Sequence, residues 1–172
     1  MKRIYYVFII LFLQINLLEA NINITFVDMN KIISTSKPGI SVLKQLNEIN
    51  NKNLDVFKNK EKILKEREEK ILAQKKIISD EEFESIVKTL KLDIKKYNDN
   101  RNKTIKNFNK LKTDNTNKLL KMINSILIKY SNEKSISIIL QKKDLVIGKN
   151  ELDITDEIIK IVNTDVGEFK IK

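Results

Sequence analysis

The sequence predicts a mostly helical α+β chain: a long antiparallel coiled-coil helical hairpin projecting from a small β-strand oligomerisation base. Two observations carry this. The only proline, Pro38, stands beside the first of three glycines in "STSKPGI" (34–40), and neither residue type recurs before Gly148. Proline and glycine are the strongest interrupters of regular structure, so one long uninterrupted element fills that gap. Short β-prone segments flank it, "INITFVDM" (Ile22–Met29) before and "SISIILQ" (Ser135–Gln141) after.

Residues 1–20 read as an export signal. Lys2 and Arg3 make a basic start, and Ile4 to Leu13 is an apolar run of signal-core length. A membrane-spanning helix needs roughly 20 apolar residues, and Gln14, Asn16 and Glu19 interrupt this one too early. Cleavage after Ala20 is expected, releasing a periplasmic chain from Asn21. Leu18 is larger than the residue preferred two positions before a cleavage site. The alternative is therefore an uncleaved signal anchoring a structural coiled-coil protein of the envelope. With no cysteine and no histidine, an exported chain lacks disulfides and also the commonest metal ligand and general base. Neither a glycine-rich phosphate loop nor a nucleophile motif is present, and Ser36–Lys37 reads as a cap at a helix start. A non-enzymatic protein without cofactor or metal is expected.

The hairpin is expected over residues 40–135. Pro38 suits the first turn of a helix, where its missing N–H would be unpaired anyway. Leu43, Phe57, Leu64, Ile71 and Ile78 then fall seven apart, with Asn50 at the one missing step. That repeat is the coiled-coil signal. "SDEE" (Ser79–Glu82) has the form of a capping box, so a second helix starts there, most simply as a reversal. Beyond it Phe83, Leu90, Tyr97 and Leu111 make one row, and Val87, Ile94 and Phe108 its companion. Arg101 and Thr104 are polar exceptions. The pattern fades over 112–118 and returns with Leu119, Met122, Ile123, Ile126, Leu127 and Tyr130. Helices of about 40 and 54 residues at ~1.5 Å per residue reach roughly 60 and 80 Å. The last turns of the longer one should enter the base.

The base is expected over 21–39 and 136–172. "LVIG" (Leu145–Gly148) reads as a further strand after a "KKD" turn. "DITDEIIKIVN" (Asp153–Asn163) reads as a terminal helix, capped by Asp153 or Thr155, with Ile154, Ile158, Ile161 and Val162 on one face. Three short strands and one small helix bury little surface per chain. Oligomerisation is the natural remedy without disulfides or metals. Phe26, Ile138, Leu140 and Val146 are the apolar residues expected to join copies.

Charge divides along the same boundary. Residues 40–135 hold 23 basic and 14 acidic residues, a net +9, whereas the base holds 8 of each. The excess is densest from Lys95 to Lys121, and Asp80–Glu84 is locally acidic. Such segregation draws acidic chains toward the hairpin, with Lys103, Lys106, Lys110 and Lys112 as the capturing residues. Despite pI ≈ 9.6, there is no aromatic-basic platform or DNA-binding motif, so no specific nucleic-acid partner is expected.

"ITFVDMNKIISTSKPGISVLKQL" resembles the opening of the Skp/OmpH periplasmic chaperones, in which a strand ending in Val-Asp-Met leads through a short helix into a long arm. "ISDEEFE" resembles their mid-hairpin turn, and "ISIILQKKDLVIGKNELDITDEIIKIVN" their closing strands and Asp-Ile-Thr helix. The resemblance covers about 22–163. It implies a homotrimer whose bases join in a β-barrel-like core and whose three arms enclose a cavity. There, without ATP, unfolded outer-membrane β-barrel proteins are held during transit. The acidic turn departs from the basic arm tip this resemblance implies, leaving at most a weak contact with anionic lipid or lipopolysaccharide. The tail "DVGEFKIK" has no counterpart. On this reading the stripe residues not consumed in zipping the hairpin, namely Val56, Ile63, Ile77, Phe83, Ile86 and Ile105, face the client.

Overall fold

The computed structural model describes residues 22–171; the expected signal, 1–20, lies outside them. Strand β1 (Ile24–Val27) runs directly into a short helix, α1 (Met29–Thr35). Asp28 between them is the cap, its carboxylate accepting from the Lys31 N–H at 2.9 Å. Ser36 then ends one helix and begins the next. Its N–H donates to the Ile32 carbonyl, and its hydroxyl accepts from the Gly39 N–H at 3.3 Å. Helix α2 (Lys37–Gln74) leaves this corner with Pro38 in its first turn. The corner is so tight that a Cβ on Gly39 would lie 1.7 Å from the Ile33 carbonyl oxygen. Only glycine fits there, which explains the pairing of the one proline with a glycine.

Helix α3 (Asp80–Glu133) returns antiparallel to α2. Ser79 caps it, its hydroxyl accepting from the Glu82 N–H at 3.2 Å. Asp80, Glu81 and Glu82 fill the first turn, where carboxylates oppose the positive end of the helix dipole. The acidic tip thus has a local reason to exist. The helix ends in a Schellman arrangement: Ile136 N–H donates to Ser131 C=O at 2.9 Å, and Ser135 N–H to Asn132 C=O. Ser135 takes the left-handed position, with φ of 51°.

Two apolar zones hold the hairpin together. Near the tip Leu64, Ile71 and Leu90 are buried, with Phe83, Ile86, Val87, Ile94 and Tyr97 packed around them. At the root Val42 and Leu46 are buried in one core with Leu119, Ile123 and Ile126. Leu43, first of the expected seven-residue row, is exposed. A straight helix with 3.6 residues per turn drifts against a strict seven-residue repeat, so Val42 and Leu46 take the inward face instead. Within the tip zone and just on its root side, polar links also join α2 to α3. Tyr97 donates to Glu61 and Arg67 to Asp93, both at 2.5 Å, and the Arg101 guanidinium lies 5.6 Å from the Phe57 ring centre.

Strand β2 (Ile138–Gln141) pairs parallel to β1, Ile24 opposite Ile138 through Val27 opposite Gln141. The whole hairpin is therefore the crossover between two parallel strands. On the other edge of β1, Phe26 bridges to Asp153. The expected strand Leu145–Gly148 does not form: a 3-10 turn (Lys142–Asp144) follows β2, and the next residues are irregular. The segment instead crosses the Phe26 ring, where a Cβ on Gly148 would meet the ring at 2.8 Å. A second 3-10 turn (Asn150–Leu152) leads to helix α4 (Thr155–Asp165).

Helix α4 buries Ile158 and Val162, with Ile154 just ahead of it, in the root core; Ile161 is half-buried. Neither expected capping residue serves as the N-cap, which is Ile154. The Thr155 hydroxyl instead accepts from the Asp28 N–H at 2.8 Å and donates to Asp153, tying the helix to the β1–α1 corner. The main core draws on α1, α4 and the roots of both long helices. Base and arm are thus continuous in packing as far as Leu46 on α2 and Phe108 on α3.

Candidate functional site

The described chain presents two apolar surfaces, one along the arm and one on the base. On the arm Val56, Ile63 and Ile77 are 64%, 54% and 81% exposed, and Ile105 is exposed as well. Phe83 and Ile86 differ from the expectation that they stand free of the zip: both are half-buried in the tip cluster. Their side chains pack against Leu64, Ile71 and Leu90. Exposed Leu54, Leu72 and Leu92 join the arm surface. They lie off the seven-residue rows, and the signal that could have found them was this mismatch.

Val56 and Ile63 line one open groove of about 620 Å³ with Phe57, Tyr97, Lys60 and Lys96. Burial, followed by the bond to Glu61, pushes the Tyr97 hydroxyl above its usual range, so it remains a neutral donor. Lys103, Lys106, Lys110 and Lys112 are all exposed. Lys110 pairs with Asp114 one turn away at 2.5 Å. Among the described residues, the other three have no carboxylate within ion-pairing distance.

On the base Ile138 and Leu140 project from β2, and Val146 and Ile147 are 104% and 89% exposed. Ile22, Ile24 and Leu152 extend the apolar surface. Phe26 does not belong to it. Its side chain is buried within the chain beneath Gly148, with the Lys142 amine 5.8 Å from its ring centre. Lys142 also donates to Asp153 at 2.9 Å. Burial alone would raise the Asp153 carboxyl, but hydrogen bonds from Thr155 and Lys142 more than offset this and hold it below the usual carboxylate range. Among the described residues no cluster of carboxylates could hold a metal ion, and no helix is long and apolar enough to cross a membrane.

A family model described as outer membrane protein (OmpH-like) matches residues 23–162. The chain belongs to the OmpH-like family. Its match runs from the residue before β1 into the last turns of α4, so base and hairpin together make the OmpH-like unit, and the tail after residue 162 lies beyond it. The crystal structure of an OmpH-like candidate outer membrane chaperone from Caulobacter crescentus CB15 has the same fold. Its TM-score is 0.80 at 14% identity, over 86% of this chain and 88% of that one. No curated protein matches this OmpH-like chain at the sequence level.

Proposed function

We propose that this OmpH-like chain is an ATP-independent, non-enzymatic holdase of the periplasm. It binds unfolded outer-membrane β-barrel proteins in a cavity between helical arms and keeps them from aggregating in transit. The carrying observation is the division of surfaces: isolated exposed apolar residues spread along an arm of net +9, against a compact apolar patch on a neutral base. Scattered apolar residues offer many weak contacts, and engaging several at once multiplies their effect without any strong site. Positive arms speed the capture of acidic clients and repel one another. Val56, Ile63, Ile77 and Ile105 supply apolar contact, with Phe83 and Ile86 available at their exposed edges. Lys103, Lys106, Lys110 and Lys112 supply attraction.

The base patch of Ile138, Leu140 and Val146 joins three copies, with Phe26 supporting it from beneath. The acidic α3 start leaves any weak contact with anionic lipid or lipopolysaccharide to the basic stretch 95–121. The deciding experiment dilutes a denatured β-barrel outer-membrane protein into buffer with and without the purified mature chain and follows light scattering. Suppression without nucleotide is expected. Equal protection by a variant shortened to its root, with 54–105 replaced by a short linker, would move the client site off the arms.

A further inference from the structure

The tail that lies beyond the family match is docked at the root of the arm. Phe169 is buried in the root core, with the Lys118 amine 5.2 Å from its ring centre. Its carbonyl accepts from the Ser41 hydroxyl at 2.9 Å and from the Gln45 amide nitrogen at 2.7 Å. The Gln45 amide oxygen in turn accepts from the Ile171 N–H at 3.2 Å. One side-chain amide thus pairs a C=O and an N–H two residues apart, as a neighbouring strand would. The side chains between and before, Lys170 and Glu168, stay exposed. Recognition is therefore by main chain plus one aromatic side chain and a half-buried aliphatic one.

Open space borders the tail on two sides. The tail joins α4 through Gly167, at φ of 62° with open space around its Cα. It does not fill its groove: about 660 Å³ stays open between it and the α2 face that carries Ile40, Lys44 and Glu48. The geometry points to a peptide-binding site at the arm root for extended aromatic–x–aliphatic segments of unfolded chains, occupied in this molecule by its own tail. That the incoming segment belongs to a client rests on the holdase reading; the site itself stands on the tail's contacts. A tethered tail competes at an effective concentration in the millimolar range, so segments displace it only when several are held nearby, as on a captured chain. The occupied site then acts as a filter against stray peptides.

The chain has no cysteine, so Lys170→Cys carries a unique spin label in the otherwise intact protein. A synthetic peptide of residues 165–172 should convert the label from restrained to mobile with a millimolar midpoint, and the same peptide with alanine in place of phenylalanine should not. Full-length Phe169→Ala should bind the fluorescent peptide about 10-fold or more tightly than the wild type does, because the competing tail is weakened. Adding Gln45→Ala should abolish that gain. A label unmoved by several millimolar peptide overturns the site, whether or not Phe169→Ala folds. Denatured β-barrel protein should release the label at micromolar concentration. Release by peptide without release by that client would overturn the client assignment and leave a site for other chains, such as the tail of a second copy. Aggregation suppression, measured in parallel, reads the holdase reading separately.

Discussion

Single residues carry unusual weight where the chain turns. Gly39 is required because α2 starts against the Ile33 carbonyl; Gly39→Ala should destabilise the chain by about 3 kcal/mol or more, as overpacking against rigid backbone does. The measurement is a denaturant midpoint by circular dichroism. Ser135 poses the opposite case. It holds a left-handed conformation that costs a non-glycine residue ~1–2 kcal/mol, so Ser135→Gly should raise the midpoint, by up to about 1 kcal/mol. Asp153 makes a pH-dependent tie between β1, Lys142 and α4. Its carboxyl is held below the usual range. Its stabilisation is therefore present above the unfolded value of ~3.9 and lost as pH falls through the lower folded value. Asp153→Asn should be less stable than wild type at neutral pH, and the gap should shrink as pH falls below the unfolded carboxylate value of ~3.9. A gap of constant size from pH 7 to 2 would refute the ionic origin.

At the scale of elements the hairpin is unevenly zipped. Leu64, Ile71 and Leu90 seal the tip and Val42, Leu46, Leu119 and Ile123 the root, while Arg67–Asp93 and Glu61–Tyr97 add polar links to the tip zone and the Phe57–Arg101 stack lies on its root side. Ion pairs with half-exposed partners contribute only ~0–1 kcal/mol, whereas a buried leucine or isoleucine lost to alanine costs ~2–5 kcal/mol. Ile71→Ala and Leu90→Ala should therefore loosen the tip, seen as faster amide exchange confined to the second half of α2 and the first half of α3. Arg67→Ala should leave that exchange nearly unchanged. Root substitutions behave differently. Ile123→Ala should destabilise the whole chain, because its side chain is shared between the arm and the base.

At the scale of the whole molecule, the proposed joining of copies through the base patch is open to a direct test. Val146 and Ile147 protrude with almost nothing of their own chain against them, and the outer edge of β2 has no partner among the described residues. Ile138→Asp should dissociate the oligomer, since an unpaired charge buried at an interface costs several kcal/mol; light scattering at micromolar concentration reads the mass. A wild-type monomer under those conditions would remove the trimeric cavity from the proposal. At the chain's start, mass analysis of the native protein separates a soluble product beginning near Asn21 from an anchored one retaining Met1. On the arm, Lys103, Lys106, Lys110 and Lys112 replaced together by glutamate should slow capture of an acidic client chiefly at low salt.

By itself the sequence determined the long layout: two helices of 38 and 54 residues turning at Ser79, flanked by short strands and closed by a small amphipathic helix. Those features are local. Apolar spacing, a serine cap and the absence of glycine and proline act within a few turns of where they stand. What only the tertiary structure decided depends on residues more than 120 positions apart. Thr155 reaches Asp28, and Gln45 reaches the main chain of Ile171. Phe26 is one of the residues expected to join copies, yet it is covered because Gly148 crosses over it; "LVIG" has strand composition, yet the segment stays irregular where it crosses that ring. Composition states what a segment could do alone, and pairing states which neighbour it meets. The tail shows this most plainly, since nothing local to "EFKIK" says that an aromatic pocket and one glutamine amide await it at the root of the arm.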